Sequence, residues 1–240
     1  MLHLRTRLPL GIWLAIAMTA RVSAGVTQEQ VAQYRELRRE FFLVIALPPG
    51  EGDRPRKEHR RYLKAATRFA KTVAADSPAY AAAADYLRAR MLLKIGDTKR
   101  GRDAFDSSLR HLATAKVNNE RVPPGMPSEC AVRVFRAFSF FGDGNDKVLE
   151  QLEAIEADIG KPRYHEVGAP VNDWAEALET RGDDAMALRV YLLIKRWDLW
   201  QDEAENPERR IRMIRMRLGE EAPPKPEQPV PAEPNATEMK

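Results

Sequence analysis

The sequence predicts an all-α protein built from stacked antiparallel helical hairpins, about four of them followed by a C-terminal capping helix. Three observations point there. Between about residues 27 and 218, apolar side chains recur at steps of three and four, the period that lines one side of a helix. Glycines, prolines and short polar caps separate these stretches. One pair of helices is also echoed later in the chain: Ala89, Leu92, Gly96, Asp97, Gly101 and Phe105 return in type and spacing as Ala175, Leu178, Gly182, Asp183, Ala187 and Tyr191. Small residues let two helix backbones approach, glycine turns the chain, and the aromatic fills the space beneath the turn.

In chain order, Thr27 and Gln30 form a capping-box pattern ahead of Val31, Tyr34, Leu37, Phe41 and Val44. A turn rich in proline, glycine and charge leads to a second helix with Tyr62, Ala66, Phe69 and Val73 inside. That helix opens on a basic cluster from Arg54 to Lys64, which includes His59 and reads as a solvated face or as a surface for anions. The central hairpin, residues 76–112, starts at Ser77-Pro78, with the serine hydroxyl expected to cap the first turn. It turns at Gly96-Asp97. Residues 117–128 read as a loop.

A third hairpin follows, with Ala131, Val134, Phe135, Phe138 and Phe141 on one helix and Val148, Leu152, Ile155 and Ile159 on the next. Residues 161–170 read as an irregular connection. The fourth hairpin is expected over residues 170–200 and carries three tryptophans, aromatic anchors that serve equally in a core or an interface. Asn206-Pro207 then caps an arginine-rich helix suited to close the stack with a wet outer face.

The small residue, turn glycine, acidic neighbour, second small residue and aromatic at these positions resemble the tetratricopeptide-repeat pattern over residues 76–112 and 171–200. The DSPAY opening at residues 76–80 is similar to that of repeat proteins of the bacterial envelope, including outer-membrane assembly and cell-division coordinator types. The resemblance implies a superhelix whose first helices line a groove for a partner peptide or protein. On matching positions it implies partner-binding roles for Tyr86, Arg90 and Lys94 of one hairpin and Asn172, Glu176 and Glu179 of another. A basic strip beside an acidic one would then fix a ligand's orientation.

The ends differ from the middle. In residues 1–24, Arg5 and Arg7 precede an apolar run too short to span a bilayer, followed by Val22-Ser23-Ala24, which predicts a signal peptide cleaved after Ala24 and a periplasmic product. Retention as an anchor is the alternative. Residues 25–219 are expected to form the repeat domain and the proline-rich residues 220–240 a disordered tail. The formal net charge of +4 falls to +1 once Arg5, Arg7 and Arg21 are removed, too little to argue for nucleic-acid binding.

Cys130, the single cysteine, allows no intramolecular disulfide. It sits in a predicted first turn, where a helix dipole favours a thiolate and burial favours an inert thiol. His3, His59, His111 and His165 lie without partners at metal-ligand spacing, so neither metal nor cofactor is expected. The stretch GDGND at residues 142–146 lacks the strand and lysine of a phosphate loop and the glutamate of a calcium loop, leaving a turn. No nucleophile elbow appears and no catalytic set is found. The expectation is an exported, non-catalytic adaptor for a protein or peptide. The alternatives are a module on the membrane surface, through the Arg209 to Arg217 helix, or on the cell wall, and a cell-wall-acting enzyme.

Overall fold

The computed structural model describes residues 26–50, 55–201 and 206–221. The expected signal peptide, and the tail beyond Glu221, lie outside them. Among the described residues the chain forms nine α-helices, one 3-10 turn and no strand. The chain divides into two compact units after Val167.

The first unit holds α1 (Gln28–Ile45), α2 (Lys57–Val73), α3 (Pro78–Lys94), α4 (Thr98–Val117), α5 (Glu129–Phe138), the turn Phe141–Asp143 and α6 (Asn145–Ile159). Successive helices pack as α1–α2, α3–α4 and α5–α6, with α2 against α3 and α4 against α5. Helix α1 starts with the expected capping box: the Gln30 amide donates to Thr27 Oγ1 at 3.1 Å, and the Thr27 amide donates to Gln30 Oε1 at 2.8 Å. Helix α3 is buried on nearly every side, with Ala79, Ala81, Ala82, Ala83, Ala84 and Ala89 fully enclosed. A helix without a wet face belongs at the centre, and alanine lets its neighbours come close.

The hydroxyl of Ser108 on α4 donates to the Ala82 carbonyl at 2.8 Å, and a Cβ on Gly101 would stand 3.0 Å from Leu93 Cδ2. At both positions a small residue lets α3 and α4 pack in direct contact. Tyr34, Phe69 and Tyr80 pack α1, α2 and α3 together through their rings, and Tyr86 meets Phe105 and Phe135 in the same way.

Ser77, His59, Phe141 and Ile159 differ from expectation in this unit, the last two by being exposed, while Cys130 follows the buried reading. Ser77 makes no capping bond to its own helix. His59, read as part of a basic face, is fully buried on α2, and neither ring nitrogen has a partner among the described residues. Cys130 donates its thiol proton to the Gly160 carbonyl at 3.7 Å, and burial pushes its pKa up to about 11. The helix start does not activate it.

The connection expected over residues 161–170 is helical from its fourth residue: α7 spans Tyr164–Thr180 and carries Pro170 inside it. In the second unit the rest of α7 is joined by α8 (Asp184–Trp197) and α9 (Pro207–Arg217), which packs on α8. Trp174 and Trp197 are buried, so these anchors belong to the core. Ile211 and Ile214 are the buried face of α9, as expected of a cap.

The internal echo holds at the level of single hydrogen bonds. The Gly96 amide donates to the Leu93 carbonyl and the Asp97 amide to the Leu92 carbonyl; the Gly182 and Asp183 amides make the same pair of bonds to Glu179 and Leu178. Both glycines take positive φ, +82° and +76°, where a side chain is strained. Each following aspartate then caps the next helix, Asp97 accepting from the Arg100 amide at 3.2 Å and Asp183 from the Met186 amide at 3.3 Å.

Candidate functional site

The resemblance implies two strips of side chains, and the structure uses half of them internally. Tyr86 is buried at 7 % exposure, and its hydroxyl accepts from Arg90 Nη1 at 2.8 Å. The Arg90 guanidinium lies 4.0 Å from the centroid of the Phe135 ring, so this cation is partly spent on a neighbouring hairpin. Burial raises the Tyr86 pKa although Arg90 opposes it. Lys94 is exposed.

On the second unit, Asn172 donates to the carbonyls of Gly168 at 2.9 Å and Leu199 at 2.8 Å, tying the end of α8 to α7. Glu179 accepts from Tyr191 at 3.2 Å, Arg210 at 3.2 Å and Arg217 at 3.0 Å. Arg217 also donates to both oxygens of Asp184, at 2.8 and 2.9 Å, holding the Asp184 carboxyl below the usual carboxylate range. Glu176 remains exposed, 3.9 Å from Arg210. The capping helix therefore neutralises Glu179 of the acidic strip. Tyr86, Asn172 and Glu179 act as structural residues, and Arg90, Lys94 and Glu176 keep accessible charge.

A polar cluster that sequence reading missed lies beside α3. Asp85 is buried and gathers Ser107 Oγ at 2.6 Å, Arg88 Nη2 at 3.0 Å and His111 Nδ1 at 3.2 Å. Serine, histidine and aspartate together suggest hydrolytic chemistry, but here the Ser107 hydroxyl gives its proton to the carboxylate instead of to the imidazole. A nucleophile needs the reverse order of contacts. What the cluster does is compensate Arg88.

In the first unit a trough of about 1350 Å³ is bounded by α2, the C-terminal half of α3 and the start of α4. Arg60, Lys64, Arg68, Lys71, Arg88 and Arg100 line it, against the carboxylates of Asp97 and Asp103. Its floor carries carbon from Leu63, Leu92 and Ile95. A second concavity, about 770 Å³, lies between α1 and the loop at residues 121–124, with Phe42 57 % exposed at its edge. Among the described residues no group of three or more histidine, cysteine or carboxylate side chains is placed to hold a metal, and no helix is long and apolar enough to cross a membrane.

Comparison of the chain with protein-family models, curated proteins and solved structures gives no match. The class defined by the fold is therefore the one its own geometry states: an all-α stack of helical hairpins.

Proposed function

We propose that the chain is an exported adaptor whose helical hairpins, similar to tetratricopeptide repeats, bind a peptide or protein segment in the cell envelope. The observation that carries this reading is the trough bounded by α2, α3 and α4: an open concavity with charged walls and apolar carbon in its floor, on a unit whose interior is occupied by packing. Export rests on residues 1–24. The alternative of a membrane-surface module through α9 loses support from geometry, because Arg210 and Arg217 are engaged by Glu179 and Asp184.

A photo-crosslinking residue at Thr72, on the trough, is expected to yield a discrete adduct from envelope extracts, while the same residue at Glu153, on the outside of α6, yields none. Equal labelling from both positions would defeat the adaptor reading. Release of soluble fragments from purified sacculi would favour a cell-wall enzyme instead.

A further inference from the structure

We infer that the trough recognises an acidic peptide segment, read by the row Arg60, Lys64, Arg68 and Lys71 on α2. The inference rests on the adaptor reading and supplies the chemistry of its ligand. The four residues follow one another at steps of four, four and three, so they share one face of α2, and all four line the trough. Helical rise separates the first three members by about 6 Å each, the last pair by about 4.5 Å, and the whole row by about 16 Å. Alternate side chains of an extended peptide lie about 6.6 Å apart. A segment with acidic residues at every second position therefore meets Arg60, Lys64 and Arg68 in register, with Lys71 within reach at the end.

The cations are available for such a ligand. Lys64, Arg68 and Lys71 are exposed, and among the described residues their side chains make no ion pair or hydrogen bond; the Arg60 side chain donates only to the Pro55 carbonyl. The other arginines in the trough are already compensated, Arg88 by Asp85 at 3.0 Å and Arg100 by Asp97 at 3.1 Å. Like charges set a turn apart on one helix repel one another, so a row left unpaired costs stability that a bound anion restores. A flat anionic bilayer does not enter a concavity, and a single phosphate fills little of about 1350 Å³. The carbon of Leu63, Leu92 and Ile95 further suits a chain with apolar atoms between its charges.

The test is fluorescence anisotropy of the full chain with a labelled hexapeptide alternating glutamate and leucine. Binding is expected to weaken about tenfold between low and physiological salt, and about tenfold in Lys64→Glu/Arg68→Glu/Lys71→Glu. The same peptide with glutamine for glutamate is expected not to bind. Because the three positions are exposed, circular dichroism should match the parent, and the milder triple change to glutamine separates lost charge from lost fold. Equal binding of the two peptides, or unchanged affinity in both variants, overturns the inference. So does binding to phosphatidylglycerol vesicles through this row with no binding of the acidic peptide. An adduct at Thr72 without acidic-peptide binding would leave the adaptor reading standing and remove this one.

Discussion

Glu120 reaches back to the start of the hairpin that precedes it: its Oε2 accepts from the Ala79 amide at 3.0 Å and from the Ser77 hydroxyl at 3.3 Å. The first turn of α3 thus receives its cap from beyond the end of α4. Glu120 is placed there by Asn119, which takes φ +53° so that the Glu120 amide bonds the Ala115 carbonyl at 2.9 Å. Loss of a charged acceptor at a helix start costs about 1–2 kcal/mol. Glu120→Ala is expected to lower stability by that amount in urea titrations, with Ser77→Ala costing less than half as much. A Ser77→Ala variant as unstable as Glu120→Ala would show that the hydroxyl, not the carboxylate, is the cap.

Asp85 is the counter-charge of a partly enclosed arginine. Removing one member of a buried pair costs about 3 kcal/mol, because the other stays desolvated and unpaired. Asp85→Ala should show that loss in chemical denaturation, Ser107→Ala about 1 kcal/mol, and Asp85→Ala/Arg88→Met a recovery of part of it. Absence of recovery in the double variant would mean that Arg88 is not the group Asp85 compensates.

His59 gives the opposite sign. A buried ring whose nitrogens are both unpartnered carries a desolvation cost of about 1–3 kcal/mol, which an apolar side chain of similar size avoids. His59→Leu is expected to raise the melting temperature. A lower one would mean that the ring's shape, which leucine does not reproduce, matters more than its polarity.

Cys130 should behave as an inert thiol at neutral pH. With its pKa pushed up to about 11 by burial, alkylation by iodoacetamide at pH 8 is expected to be slower than for free cysteine and to rise steeply toward pH 11. Folding raises this pKa, so the folded chain keeps the thiol proton where the unfolded chain has begun to lose it. The contribution to stability is therefore fully present below the thiol's unfolded pKa and is lost as pH rises through about 11. Rapid alkylation at pH 7 would contradict the burial.

Helix positions were legible wherever a local device sets them. The Thr27–Gln30 box and the Gly96-Asp97 and Gly182-Asp183 turns each act within a few residues, and all appear as expected. Reading went astray where a distant group intervenes. Ser77 yields to Glu120, and residues 164–170 are helical where an irregular connection is expected. There the Glu166 carboxylate accepts from both the amide and the hydroxyl of Ser128 at 2.7 Å, anchoring the first turn of α7 to the start of α5. The site was less legible than the fold. Charge along a helix shows which side chains exist, but Glu179 is indistinguishable from Glu176 until the arginines of α9 are placed against it.

Periodicity, caps and turn glycines, all short-range and steric in origin, were enough by themselves to determine an all-helical chain of paired antiparallel elements with an internal echo. Only the tertiary structure decided which polar groups are spent on the fold and which are left for a ligand. Burial and pairing depend on elements tens of residues apart, and the free energy of a charge is set by what stands beside it in space.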